Sequence, residues 1–407
     1  MRHSHISVTL LLAAILAGCA TSKPVNTPQA STGQAALQQA LARESTLSGS
    51  YAVADEDHFF LANVSSSARP TVTAHEGVYQ VTVPIAAEIP AECFVYHESL
   101  DAAATLNMLI NEPLSSMAKT QILTIDAGTF GHRPYLSQEK LYITDQQVAG
   151  VLKGIVVPFE TSMLACLHDS AGYSETFRRM AASFADELVL HGTTPETWAH
   201  EEVLLWKLRD MHIGFTINRS APDEDGDIKS TVETALMIPR SSSEAITHDE
   251  YNITYEQPDG ALINGRYAEA ENGAINVNIS LDRTAQGDYQ VEGVFQGKEI
   301  SAPLQATSGV VGPYHQYQEM IRAANPASGQ PQALTLDAYV PSANPLQTIA
   351  MDMNPTGAHI GGLPEYELLF AGLKASGVVD DRGQKSMTVK MGSLELHLSR
   401  AYINSLP

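Results

Sequence analysis

Residues 271–281 read Glu271-Asn272-Gly273-Ala274-Ile275-Asn276-Val277-Asn278-Ile279-Ser280-Leu281, and the chain then turns through Gln286-Gly287-Asp288 into Tyr289-Gln290-Val291 and Phe295-Gln296-Gly297. Apolar residues at 275, 277 and 279 alternate with polar ones, the period of a half-buried β-strand. Asn-Gly between alternating runs is the chemistry of a tight hairpin, because both central residues of the favoured turn need positive φ. Short turns force antiparallel neighbours. The same pattern extends upstream through Ile213/Phe215/Ile217, Val232/Leu236/Ile238 and Tyr251/Ile253/Tyr255, with turn signals at Asp225-Gly226 and Pro258-Asp259-Gly260. Residues 195–307 are therefore predicted to form an antiparallel β-meander of six or more strands. Such a curved sheet or half-barrel has one apolar face and one wet face.

Residues 308–407 carry a predicted helix, Tyr314–Ala323, ended by Asn325-Pro326. Strands follow at Ala333–Val340, Thr348–Met353, Glu367–Leu373, Ser386–Met391 and Leu394–Leu398. This segment either continues the sheet or forms a third small domain. Residues 51–192 read as an α/β sandwich-like domain. Its strands are expected at Val78–Ile85, Cys93–Tyr96, Gln121–Asp126, Lys140–Thr144, Leu152–Val157 and Met163–Leu167. A helix over Leu100–Ile110 should stop at Asn111-Glu112-Pro113. The closing helix carries Tyr173, Phe177, Met180, Phe184 and Leu188 on one stripe, with Gly192 as its stop. The chain as a whole is expected to be α+β. The element order of residues 51–192, a sheet ending in a strand and then a long helix, is similar to the sandwich of the extrinsic proteins of the oxygen-evolving complex.

At the N-terminus, Met1-Arg2-His3-Ser4-His5 precedes an apolar run, Ile6 to Leu16, that is too short to span a bilayer and ends in Ala17-Gly18-Cys19. Leu16-Ala17-Gly18-Cys19 resembles the lipobox of bacterial lipoproteins. The resemblance implies that residues 1–18 are a signal peptide removed before Cys19, which then carries the lipid. It also implies anchoring in the cell envelope. Ala20-Thr21 in place of an aspartate after the cysteine implies the outer membrane, facing the periplasm. Residues 19–50 are then the lipidated cysteine, a polar, proline-containing tether over residues 20–33, and a short helix over Ala35–Arg43.

The chain carries a formal charge of −22, and removal of residues 1–18, whose one charged residue is Arg2, makes it −23. An acidic surface repels phosphate backbones, which excludes nucleic acid as a partner and leaves lipid as the means of membrane attachment. Beyond Cys19 only Cys93 and Cys166 remain, and in an oxidising compartment an even pair reads as a disulfide. Its loop of about 74 residues corresponds to roughly 4 kcal/mol of stabilisation on the chain-entropy model. Two packed thiols are the alternative.

Other groupings suggest chemistry. Cys93/His97 and Cys166/His168 offer zinc-type ligands on strands, and Cys166/His168 beside Asp169 offers a thiol nucleophile. Ser116/Lys119 and Ser137/Lys140 match Ser-x-x-Lys, without the partner motifs of that enzyme class. Asp223–Asp227 has oxygen ligands but lacks the glycine and glutamate of a calcium loop, and reads as a hairpin turn. His200-Glu201-Glu202 lacks a metalloprotease's second histidine. No catalytic, metal or cofactor motif stands. The expectation is a non-catalytic, lipid-anchored envelope lipoprotein that binds an apolar ligand or another envelope protein. Phe215, Tyr251, Tyr255, Tyr267, Tyr289 and Phe295 are the candidate lining of a ligand site. The sheet resembles the half-barrels of lipoprotein-carrier and lipoprotein-receptor proteins. The alternatives are a periplasmic hydrolase or thiol-dependent enzyme, and a structural or assembly subunit of an outer-membrane complex.

Overall fold

The computed structural model describes residues 38–405 except 56–58, 99–100, 147, 192–196, 307–308, 327–328 and 393. The expected signal peptide, Cys19, the tether over residues 20–33 and the stop at Gly192 lie outside the described residues. Of the helix expected over Ala35–Arg43, residues 38–43 are described and 38–41 of them are helical. The fold is mostly antiparallel β, 61% strand against 12% helix, so the expected α+β class narrows to a mostly-β one. Two compact units divide the described chain: residues up to 196 together with 237–246, and residues 197–236 together with 247 onward.

The first unit opens with β1 (Gly49–Ala54), β2 (Phe60–Ser66) and β3 (Thr71–His75). After β4 (Val78–Ala86) and β5 (Ile89–Tyr96) comes α1 (Ala102–Leu114). Four strands follow, β6 (Lys119–Phe130), β7 (Arg133–Ile143), β8 (Ala149–Pro158) and β9 (Met163–Asp169), then α2 (Ser174–Glu187) and the two-residue β10 (Val189–Leu190). A seven-stranded antiparallel sheet, ordered β3-β4-β5-β9-β8-β7-β6, carries a helix on each face, and β1-β2-β10 form a separate three-stranded sheet. Alternation on β8 decides the layering. Ile155 and Val157 point into the core with Phe177, Met180 and Phe184 of α2 and with Phe60, Ala62 and Val64 of β2. The intervening Gly154 lies against Leu106 and Ile110 of α1.

The expected stripe of α2 is buried at Phe177, Met180, Phe184 and Leu188, and Tyr173 forms the cap in a left-handed conformation, φ 66°. Helix α1 departs from expectation by running through Pro113 to Leu114. Pro113 falls in the last turn, where the Asn111 side-chain Nδ2 donates to the Asn107 carbonyl (2.8 Å) and Leu114 is buried. Strands β1–β3 were not expected. Their apolar positions are small or sparse, as in Phe60/Ala62/Val64, and give a weak period-two signal.

The second unit is built on β11 (His200–Leu208), β12 (Met211–Pro222), β13 (Ile228–Pro239), β14 (Ala245–Glu256), β15 (Leu262–Glu271), β16 (Ala274–Arg283), β17 (Tyr289–Phe295) and β18 (Lys298–Pro303), with residues 237–239 of β13 and 245–246 of β14 counted in the first. After α3 (Pro313–Ala324) come β19 (Leu334–Tyr339), β20 (Thr348–Ile360), β21 (Leu363–Phe370), β22 (Leu373–Asp380), β23 (Gly383–Met391) and β24 (Leu394–Ser405). All fourteen strands form one sheet, running from β18 back to β11, across to β24, and back to β19. The strands after residue 308 thus continue the meander. Just past the two outer strands the chain meets itself, where Gln305 and Gln347 make an isolated parallel bridge.

Two details depart from the sequence reading. The strand expected over Glu367–Leu373 is cut by a turn at Ala371-Gly372, whose φ values of 49° and 77° make a hairpin between β21 and β22. The division into an apolar face and a wet face also fails on β14. There Tyr251 is 42% exposed while Thr254 and Glu256, on the opposite face, are buried.

Cys93 and Cys166 are joined. They stand in register on adjacent β5 and β9, with Cα atoms 4.0 Å apart, so the bridge staples the centre of the seven-stranded sheet. The expected outcome of replacing both residues (Cys93→Ala with Cys166→Ala) is a loss of roughly 4 kcal/mol in the transition of the first unit, read from urea denaturation of the intact chain.

Candidate functional site

The cysteine chemistry is settled by the disulfide. With both sulfurs joined, neither a zinc set with His97 and His168 nor a thiolate nucleophile at Cys166 is available. His168 is a buried structural imidazole whose Nδ1–H donates to the Pro90 carbonyl (3.0 Å), beside the Phe177 ring. His97 stacks on Phe59 with ring centroids 3.8 Å apart. The Ser-x-x-Lys matches fail geometrically as well, because the motif needs one helical turn. Ser116 lies in the turn after α1 and Lys119 begins β6, while Ser137 and Lys140 are three apart on β7 and so face opposite ways. Lys140 is bonded to Asn111 Oδ1 (2.5 Å). The Asp223–Asp227 turn is closed on itself, with Asp223 Oδ1 accepting from the amides of Asp225 and Asp227 (both 3.0 Å).

The six aromatic residues do not line one space. Tyr267, Tyr289 and Phe295 share a face through the registers Tyr267↔Ile279, Ile279↔Gly293, Val277↔Phe295 and Arg283↔Tyr289. Tyr267 and Phe295 pack with Val277, Ile279 and Ile300, whereas Tyr289 packs with Leu262, Leu281, Val291 and Val310. Tyr251 and Tyr255 lie on the opposite face of β14 from Glu256. Phe215, cross-strand from Leu205 and Ala235, lies on the opposite face from Asn218 and Glu202. The space beside Tyr267, lined also by Leu262, Ile279, Leu281 and Tyr339, amounts to about 10 Å³. That is room for one water and not for an acyl chain.

What occupies the sheet's inner face is α3. Its N-terminus meets Glu256, whose Oε1 accepts from the His315 amide (3.1 Å), a cap supplied by a distant strand. Gly312, the N-cap, has no room for a side chain, since a Cβ would overlap the Glu256 carboxyl. One turn on, the Tyr317 hydroxyl accepts from the Gln384 amide (3.1 Å) and hydrogen-bonds to the Glu202 carboxyl. Glu202 Oε2 also accepts from Asn218 Nδ2 (3.2 Å), and the His200 ring lies 5.1 Å from that of Tyr317. Arg400 forks onto Asp380 beside this cluster. The C-terminal end is held by neutral bonds, Tyr366 hydroxyl to the Ala323 carbonyl (3.2 Å) and Asn325 Nδ2 to the Asp380 carbonyl (2.9 Å).

Burial dominates the electrostatics. Glu202 and Glu256 are fully buried, which pushes both carboxyls up to about 7. Burial, with Arg400 nearby, pulls His200 down. One oxygen of each glutamate, His200 Nε2 and Gln384 Nε2 have no hydrogen-bond partner. A neutral carboxylic acid beside a tyrosine is a proton-holding arrangement, and Glu202 within it is fully buried. The sequence showed only half of it. His200 and Glu202 share a face on β11 by their spacing of two, while Tyr317, Glu256 and Gln384 join them only through the tertiary fold. Among the described residues no group of three or more His, Cys, Asp or Glu is placed to hold a metal ion.

Two outcomes follow from this geometry. Gly312→Ala should cost about 1–3 kcal/mol by displacing the Glu256 cap, whereas Gly309→Ala, with open space around it, should stay within about 0.5 kcal/mol in the same denaturation assay. In the first unit, burial pulls His168 down to about 4. The folded state then binds fewer protons than the unfolded chain between about pH 6.5 and 4, so stability present above that window is lost as pH falls through it. The expected loss is up to roughly 3 kcal/mol, and His168→Phe should abolish that pH dependence.

No family model matches the chain, and no curated protein matches it. Among solved structures, a β-barrel-like protein of a domain of unknown function from Brucella abortus is similar over 51% of this chain and 98% of its own, at 11% identity and a TM-score of 0.38. Likeness at that level adds nothing to the reading of the site.

Proposed function

We propose that this chain is a lipid-anchored, non-catalytic lipoprotein of the cell envelope that binds another envelope protein through its curved, half-barrel sheet. The single observation that carries the reading is α3. The inner face, where a carrier of apolar molecules would hold its cargo, is occupied by the chain's own helix and by packed aromatic side chains, with about 10 Å³ left beside Tyr267. Binding of a partner through the remaining sheet surface and strand edges fits that arrangement better than storage of an acyl chain. The lipobox supplies the address, with Cys19 as the lipidated residue and the outer membrane, facing the periplasm, as the site of attachment. An assembly role within an outer-membrane complex is the same reading with a permanent partner. The disulfide speaks against a thiol-dependent enzyme.

Labelling with radioactive palmitate is expected to mark the wild-type chain and to leave Cys19→Ser unmarked and uncleaved. Native mass spectrometry of the detergent-extracted protein is expected to give the chain plus its covalent anchor. Retention of a further, non-covalent lipid by Cys19→Ser would overturn the protein-binding reading in favour of a carrier.

A further inference from the structure

Helix α3 is attached unevenly. Of its twelve residues only Met320, Ala323 and Ala324 are fully buried, all in its C-terminal half. Its N-terminal half is held instead by two carboxyl groups of the sheet, Glu256 at the His315 amide and Glu202 at the Tyr317 hydroxyl. Each carboxyl has one oxygen without a partner. We propose that α3 is a releasable plug, leaving the inner face of the sheet when Glu202 and Glu256 lose their protons while the fourteen strands stay paired.

The surroundings of the two groups favour this direction. Glu202 is faced by His200 on its own strand, by Asn218 on β12, by Tyr317 on α3, and by Arg400 on β24 with Asp380 on β22. Burial holds His200 towards its neutral form, and Asp380 already occupies Arg400 in a two-pronged ion pair. A Glu202 carboxylate therefore meets a cation whose charge is largely matched. Glu256 is faced by His315 and the positive end of α3, which offsets part of the burial without outweighing it. A buried charge short of partners is relieved by separation of the helix from the sheet, which admits water to both carboxylates. The helix stays tethered. Before it, Leu262 donates to the Val310 carbonyl (3.0 Å) and Ala261 bridges to Val311. After it, the chain re-enters the sheet at Leu334. The inference holds whether the partner of the chain is a protein or a lipid, since it concerns only what uncovers the inner face.

The sign is fixed by linkage. A group whose proton is held more tightly in the docked state favours docking in acid and loses that contribution as pH rises through its docked value. Hydrogen–deuterium exchange of the intact chain, corrected for the intrinsic pH dependence of exchange, reads the opening directly. Peptides covering residues 313–324 should exchange at least about tenfold faster at pH 8 than at pH 6, while peptides from β11, β12 and β24 remain protected. The double variant Glu202→Gln with Glu256→Gln should keep α3 exchange the same at both values. Three results would overturn the proposal: pH-independent protection of α3 in the wild type, loss of strand protection in parallel with α3, or an undiminished pH response in the folded double variant. If the double variant fails to fold, the wild-type profile and each single variant decide on the same criteria.

Discussion

Nine residues of β11 are paired with β24, from His200↔Ser405 at one end to Leu208↔Leu396 at the other, with a bulge after Val203. Every other neighbour relation in the fourteen-stranded sheet joins strands that follow one another in the chain. One eight-strand meander runs away from this seam and another of six strands returns to it. Without the seam each would end in a bare central edge, a template for wrong pairing. The entropy of closing so long a loop grows only logarithmically with its length, so the seam is thermodynamically accessible. Kinetically it is late, because no local turn brings the two strands together.

This division between local and non-local contacts explains what was legible in the sequence. Five hairpins between β12 and β18 were announced by their own residues, as at Asn272-Gly273 (φ 51° and 75°) and Gln296-Gly297 (φ 52° and 73°), since a turn requiring positive φ leaves a chemical signature, whereas the Ala371-Gly372 turn between β21 and β22 was read through as strand. The disulfide was legible because only two cysteines were left to pair. The sidedness of β14 was not. Tyr251 and Tyr255 look like core by residue type, yet Thr254 and Glu256 take the buried positions, Glu256 as the cap of α3. A helix docked through hydrogen bonds asks for polar residues on the strands beneath it, which reverses the usual rule for an inward face. The small sheet β1-β2-β10 escaped because alanine and serine alternate weakly against their neighbours.

Hydrogen bonding within the sheet also accounts for the poor fit of the aromatic residues to a ligand site. Tyr267 donates to Glu269 Oε2 (3.0 Å) and Tyr289 to the Leu262 carbonyl (2.6 Å), so both hydroxyls are spent within the sheet. Buried hydroxyls satisfied in this way fix side-chain positions and make the interior rigid, which suits a scaffold more than an adaptable pocket. The seven-stranded sheet of the first unit differs, with an apolar cluster on its α2 face, Leu106 and Ile110 of α1 against the other, and the Cys93–Cys166 bridge at its centre.

The register His200↔Ser405 has a topological meaning. The residue that begins β11 and the residue that ends β24 stand opposite each other on adjacent strands, so the second unit is a ring in connectivity although its backbone is linear. A short linker joining these points would leave every strand with the neighbours it has now, and new ends opened at the Gln296-Gly297 turn would fall between β17 and β18 at the outer side of the sheet. Circular permutation of the unit is thus compatible with its hydrogen-bond pattern. In such a chain the β11–β24 contact becomes a hairpin, and the slowest pairing of the native order becomes one of the fastest.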